Sequence, residues 1–185
     1  MNIKHTISRI KQNERGAEKA LFVHFAPKVL TICRRYASQD AEAKDYLQEC
    51  FLLIFSKIDQ YDSTKGSFEG WIHRISTNRI IELYRKSTKQ IKMTYPDTLP
   101  EPILSEENFQ RIPKDQIMEA VQQLPQGYKQ VFNLYIFEEW SHKQIAESLN
   151  IAETTSRSQL NRAKKILKNK LQKKIVNLGY ERKLA

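Results

Sequence analysis

The chain has 185 residues, 28% of them charged and 40% hydrophobic, with a formal net charge of +10. That length suits one ordinary domain or two small ones, and no apolar run approaches the ~20 residues needed to span a membrane. Met1 to Lys11 has no apolar stretch of the signal-peptide kind, so a cytoplasmic protein is expected.

The location of the charge says more than its size. Residues 62–89 hold six Lys/Arg against three acids, and residues 154–174 hold eight against none, so these segments carry +11 and the remainder −1. Two separate basic patches fit two contacts with a polyanion, most simply nucleic acid; the plainer alternative is a pair of solvated lysine-rich helix faces. Cys33 and Cys50 fall in helical stretches and read as small core residues of a reducing compartment. There is no CxxC, no HExxH and no cluster of His and carboxylates at ligand spacing, so neither a metal nor another cofactor is expected.

Helical periodicity runs along most of the chain. In "EKALFVHFAPKVLTICRRYA", Leu21, Phe22, Phe25, Val29, Ile32, Cys33 and Tyr36 recur at three- and four-residue steps and form one apolar face. Pro27 should kink or break that helix. "DAEAKDYLQECFLLIFSKIDQY" follows, with Asp40 as a plausible N-cap and Leu47, Cys50, Phe51, Ile54 and Ile58 as its buried stripe. After the turn residues of "YDSTKG", the segment "SFEGWIHRISTNRIIELYRKS" should begin at a Ser67 cap and bury Phe68, Trp71, Ile72 and Ile75. These helices can share one core, giving a first domain over residues 1–89.

Residues 90–113 break the pattern: they hold four of the six prolines, carry a net −2 and show no periodicity. They read as a flexible linker between two all-α domains. Fully extended it reaches about 80 Å at ~3.3–3.6 Å per residue, enough to set two sites ~70 Å apart, two turns of B-DNA.

The second domain, residues 114–175, starts with "KDQIMEAVQQL", turns at Leu124-Pro125 and continues through "QGYKQVFNLYIF"; residues 176–185 form a tail. Its end, "SHKQIAESLNIAETTSRSQLNRAKKIL", has the pattern of a helix-turn-helix. Ser141 and Gln144 fit a capping box, Ile145, Ala146 and Leu149 point inward, and Asn150 can take the left-handed conformation of a tight turn. A second helix follows from about Glu153 to Lys170 or beyond. The expected fold is thus all-α: two small helical domains on a flexible linker, the C-terminal one a helix-turn-helix domain.

Taken together, "AKDYLQECFLLIFSKI", "KGSFEGWIHRISTNRIIELYRKS" and "LPQGYKQVFNLYIFEEWSHKQIAESLNIAETTSRSQLNRAKKIL" resemble the bacterial RNA polymerase sigma factors of the extracytoplasmic-function (ECF) type, within the sigma-70 family. The resemblance covers nearly all of the chain beyond Ala20, in the family's order. It implies a region 2-like domain that docks on core polymerase and melts the −10 element, and a region 4-like domain that reads the −35 element. The family docks on the β′ clamp coiled coil through a segment matching Asp45, Gln48, Glu49 and Leu52, which lie at helical spacing opposite the apolar stripe. For −10 recognition and melting it points to Lys65, Ser67, Arg74, Asn78, Arg79, Arg85 and Lys86. The loop from Tyr61 to Ser67 resembles the family's base-capturing specificity loop, while Trp71, in the apolar stripe, reads as core and His73 as an exposed polar neighbour.

For the −35 element, Thr155, Arg157, Ser158, Asn161 and Arg162 match positions that the family directs at the major groove. Arg suits guanine O6/N7 and Asn suits adenine N6/N7. Lys164, Lys165 and Lys168 suit phosphates, which add affinity without sequence information. The "YKQVFNLYIF" helix is mostly core and a candidate for docking the β flap. An anti-sigma factor is a further implied partner. The chain departs from the family at Asn150, often glycine, at Ala152, often a Ser or Thr cap, and at Ser156, often apolar, which should weaken the core where the two helices cross.

Two rival readings stay open at this level. A free-standing helix-turn-helix regulator would explain residues 141–174 but leave the first domain's motifs without a role. A DNA-processing enzyme would need clustered acids for metal catalysis or an activated nucleophile. The acids of residues 40–49 are instead spread along a helix, and no base–nucleophile pair is evident, so a non-enzymatic role is expected.

Overall fold

The structure, a computed structural model, describes residues 2–88 and 113–181. All regular structure among these residues is helical. The chain divides into two compact units, Met1–Lys89 and Gln90–Ala185, each with its own apolar core. Apart from Pro113, the expected linker lies outside the described residues.

The first unit contains α1 (Ile3–Lys11), α2 (Ala17–Tyr36), α3 (Asp40–Ser56), a 3-10 turn (Ile58–Gln60) and α4 (Phe68–Thr88). Helices α2, α3 and α4 pack pairwise, and α1 lies against α2. The apolar steps on α2 and α3 account for this core: Leu21, Phe25, Val29, Ile32, Cys33 and Tyr36 meet Cys50, Phe51 and Ile54, with Phe68, Ile72 and Ile80 from α4. Each such Leu, Ile or Phe contributes about 1.5–3 kcal/mol when fully buried. Both cysteines are free and buried. The neighbouring Cys50 thiol and burial push the Cys33 thiol up, while Cys50 Sγ lies 3.7 Å from the Ser76 carbonyl oxygen.

Several expectations are corrected here. Helix α1, capped by the Asn2 side chain accepting from the His5 amide, has no counterpart in the sequence reading; it buries Ile7 and Ile10. Helix α2 runs through Pro27 without a break. Proline removes the bond to the carbonyl four residues back. That carbonyl belongs to Val23, which sits on the exposed side of the helix, as does Pro27, so water can satisfy it. Phe22, expected in the buried face, is 37% exposed. Asp40 is the first helical residue rather than the cap, which is Gln39. Its carboxylate is taken by Arg34 and Lys44, while Glu42 Oε2 reaches back to accept the Ser38 amide at 2.6 Å.

The second unit contains α5 (Lys114–Gln122), α6 (Gln126–Ile136), α7 (His142–Leu149) and α8 (Glu153–Glu181). The long α8 is its axis, with α5, α6 and α7 all packed against it. Leu160, Ala163, Leu167 and Leu171 form the inner stripe of α8, at the three- and four-residue steps of a helix face. Helix α8 runs past residue 176, the expected start of a tail, to Glu181 without interruption.

Candidate nucleic-acid interface

In the first unit the site is built around the loop from Tyr61 to Ser67. The Tyr61 ring meets Phe68 at 4.9 Å and Trp71 at 5.6 Å, both edge-on, and Phe68 and Trp71 stack at 5.4 Å. Tyr61 Oη donates to the Gly66 carbonyl at 3.1 Å, closing the loop on itself. Asp62 Oδ1 accepts from the Thr64 amide at 2.9 Å and its hydroxyl at 2.7 Å. The Thr64 amide, then its hydroxyl, hold the Asp62 carboxyl below the usual range. Gly66 has φ +143°, a conformation that side-chain-bearing residues rarely adopt. Ser67 Oγ then accepts the Gly70 amide at 3.1 Å and caps α4.

This loop and the first turns of α4 enclose an open cavity of about 420 Å³ lined by Tyr61, Asp62, Lys65, Ser67, Trp71 and Arg74, among others. Its size falls within the roughly 300–1,000 Å³ typical of ligand pockets. Three of the seven residues expected at the −10 contact, Lys65, Ser67 and Arg74, therefore share one cavity. Trp71 is half-buried: it packs on the core and also lines the cavity, so the core assignment was incomplete. His73 is half-buried rather than exposed, with Nε2 3.4 Å from Arg35 Nη2.

The other four are placed differently. Asn78, Arg85 and Lys86 are exposed along α4, with Lys86 paired to Glu82 at 2.8 Å. Arg79 is half-buried and held by two carboxylates, donating to Glu49 of α3 and, at 2.8 Å, to Glu82. These bonds, Glu49 first, raise the Arg79 pKa against the desolvation that lowers it.

On α3, Asp45, Gln48 and Leu52 are exposed on the side opposite Cys50, Phe51 and Ile54, and Glu49 is half-buried. Leu52 is 67% exposed. Beside this helix, α2 presents Phe22, whose ring meets Phe51 at 4.6 Å, and Val23, 63% exposed. Sequence reasoning missed this apolar addition because helical spacing alone put Phe22 inside.

In the second unit the capping box is complete: Ser141 Oγ accepts the Gln144 amide and Gln144 Oε1 accepts the Ser141 amide. Asn150 has φ 55° and ψ 50°, the left-handed turn expected. Its amide and that of Ile151 both return to Ala146. Ser156 is fully buried at the α7–α8 crossing, but it is not a defect, because His142 Nδ1 lies 2.9 Å from its Oγ. The His142 ring stacks on Tyr135 at 4.7 Å, and Lys164 Nζ sits 5.8 Å from the centre of the Tyr135 ring.

Of the residues expected at the −35 contact, Arg157, Ser158, Asn161 and Lys164 are exposed on α8, while Thr155, Arg162 and Lys165 are half-buried. Arg157 is paired with Glu153 one turn back at 2.5 Å, and Ser158 Oγ donates to the Thr155 carbonyl. Lys168 is half-buried farther along. On α6 and just past its end, Tyr135, Ile136 and Phe137 leave apolar surface exposed. Among the described residues no group of His, Cys, Asp and Glu could hold a metal ion, and no helix is long and apolar enough to cross a membrane.

The described residues thus form an all-helical protein, with a cavity beside a helix in the first unit and, in the second, a helix-turn-helix whose second helix presents Arg, Ser, Asn and Lys outward. Comparison with known families makes this specific. The family model described as "Sigma-70 region 2" matches residues 21–90, and "Sigma-70, region 4" matches residues 114–167. The chain belongs to the sigma-70 family of RNA polymerase sigma factors, among proteins of the ECF type. It is 27% identical over 184 residues to the ECF RNA polymerase sigma factor SigW of Bacillus subtilis, covering 92% of this chain and 97% of that one. It is 29% identical over 132 residues to ECF sigma factor SigM of the same organism, covering 68% and 77%. It is 26% identical over 153 residues to ECF sigma factor SigE of Mycolicibacterium smegmatis, covering 80% of this chain but only 59% of that longer protein.

Proposed function

We propose that this chain is a promoter-recognition subunit that binds core RNA polymerase, directs promoter-specific initiation from −10 and −35 elements, and helps to open the duplex. Asp45, Gln48, Glu49 and Leu52 of α3 form the docking face for the β′ clamp coiled coil. The exposed Asp45 and Gln48 and the half-buried Glu49 suit charge-assisted bonds to arginines, and Leu52 supplies an apolar contact. The cavity at Lys65, Ser67, Trp71 and Arg74 takes an unstacked base of the −10 strand, with Asn78, Arg85 and Lys86 following its backbone. Arg157, Ser158 and Asn161 read base edges of the −35 element, and Lys164, Lys165 and Lys168 hold phosphates. The exposed Tyr135, Ile136 and Phe137 fit the β flap. The role is non-enzymatic and belongs in the cytoplasm, and an anti-sigma factor is its natural inhibitor.

The observation that carries this reading is order: region 2 and region 4 match in sequence, each on its own helical unit. The test mixes the purified chain with sigma-free core enzyme and a library of bacterial DNA fragments. Transcripts that start at one shared bipartite sequence are expected. Tight binding to a duplex without any initiation would instead make the chain a free-standing regulator.

A further inference from the structure

We infer that Tyr135 is a positioning residue for the −35 contact: its ring, fixed by His142, holds the Lys164 ammonium ready for a DNA phosphate. This rests on the function proposed above, which gives Lys164 to the backbone and Tyr135 to an apolar surface beside Ile136 and Phe137. The contacts form a chain across three helices. Ser156 of α8 is fully buried, and its Oγ lies 2.9 Å from His142 Nδ1 at the start of α7. The His142 ring stacks on Tyr135 of α6 at 4.7 Å, with 23° between the planes. Lys164 Nζ, about two turns along α8 from Ser156, sits 5.8 Å from the centre of the Tyr135 ring. The chain thus starts and ends on the recognition helix, and its last member is an exposed cation.

Each link restrains the next. The buried hydroxyl pins the imidazole, because a buried hydroxyl that loses its partner costs stability. The imidazole covers part of the Tyr135 ring, which is 37% exposed, and so limits where that ring can turn. Lys164 gains from this, since its flexible four-carbon stem loses rotamer freedom when it meets a phosphate. An ammonium already held by an aromatic ring has given up part of that freedom, and preorganisation of this kind strengthens binding. The restraint need not be undone. The ring attracts the charge without taking the three N–H donors as a carboxylate would, so they remain for phosphate oxygens. Arg157 differs: Glu153 holds its guanidinium at 2.5 Å and must release it before a base can be read.

The experiment titrates the full chain, without polymerase, against a short duplex that the parent selects from a randomised pool, and repeats this over a range of salt. Tyr135→Leu removes the ring and is expected to weaken binding about 2- to 5-fold, the worth of one exposed cation–ring contact. The log–log salt slope should stay at the parental value, because the charge of Lys164 is still there to displace counterions. With Lys164→Ala also present, Tyr135→Leu is expected to change nothing. Tyr135→Phe puts a ring back and should recover the lost affinity. Should Tyr135→Leu fail to fold, His142→Leu with Ser156→Ala removes the stack without stranding the hydroxyl, and its loss should likewise depend on Lys164. An equal loss with and without Lys164 would give Tyr135 a merely structural role and overturn the positioning, as would no loss at all. Failure of the sigma reading would show separately, as absence of initiation by core enzyme.

Discussion

His142 Nδ1 and Ser156 Oγ lie 2.9 Å apart and join the first helix of the helix-turn-helix to the second. A buried hydroxyl without a partner costs about 1–3 kcal/mol, so the imidazole is what makes a serine tolerable at that crossing. Burial, assisted by Arg157 and Lys164 and opposed by Glu153, holds the His142 pKa below its ordinary value. The unfolded chain therefore takes up this proton more readily than the folded one. The resulting stability is complete above the unfolded pKa of about 6.5 and is lost as pH falls beneath it. Thermal melting of the full chain is expected to shift downward between pH 7.5 and 5.5. His142→Phe keeps a ring against Tyr135 without a titratable nitrogen and should flatten that slope. A melting temperature indifferent to pH in the parent across this window would remove His142 from the account.

Arg157 and Lys164 should fail in different ways. Arg157 is exposed and paired with Glu153 in the free chain. Surface pairs of this kind are worth about 0–1 kcal/mol, so a guanine can outcompete the carboxylate. Arg157→Ala is expected to cost about 1–3 kcal/mol at one base step and to relax preference there. Lys164, held near the Tyr135 ring, is assigned to a phosphate, which carries no sequence information. Lys164→Ala should weaken all duplexes alike and lower the salt slope by about 0.9. Competition among randomised −35 duplexes separates the two, and a uniform loss from both would break the assignment of base and phosphate contacts.

What the sequence made legible was local chemistry. Ser67, Ser141 with Gln144, and Asn150 act on backbone groups within four residues of themselves, so their roles follow from spacing. Long-range pairing was not legible: nothing in the sequence places Glu49 against Arg79 or His142 against Ser156, because those contacts depend on how helices cross. Helix α1 escaped notice for a related reason, since nine residues with two buried isoleucines give too short a pattern. Phe22 misled because apolar spacing marks a stripe but not where the neighbouring helix ends. Helix α6 buries Lys129, Gln130 and Asn133 together with Tyr128, Val131 and Leu134, so no clean period could reveal its inner face.

The loop at Tyr61 offers a direct check on the cavity. Tyr61→Phe removes only the hydroxyl that donates to the Gly66 carbonyl and keeps the ring contacts with Phe68 and Trp71. The net value of one such bond is about 0.5–1.5 kcal/mol, and the carbonyl is on an exposed loop where water can replace the donor. Global stability should therefore fall by less than 1 kcal/mol. The loop itself loses its closing contact, so promoter opening by the reconstituted polymerase should slow several-fold while core affinity is unchanged. Opening at the parental rate would mean that the loop is held without Tyr61.

Two residues of α3 separate folding from docking most sharply. Ile54 is fully buried and Leu52, two positions earlier, is 67% exposed. Ile54→Ala is expected to destabilise the first unit by about 2–5 kcal/mol, through lost transfer energy and the cavity left behind. Leu52→Glu alters no packed contact and should stay within about 0.5 kcal/mol of the parent in denaturant unfolding. In the complex the order reverses. Burying a leucine side chain against a partner is worth about 1.5–3 kcal/mol, so Leu52→Glu should weaken core binding at least tenfold at equal stability. Fluorescence titration of labelled core enzyme would measure this directly. Parental affinity in Leu52→Glu would move the docking surface away from α3, toward the neighbouring apolar Phe22 and Val23 of α2.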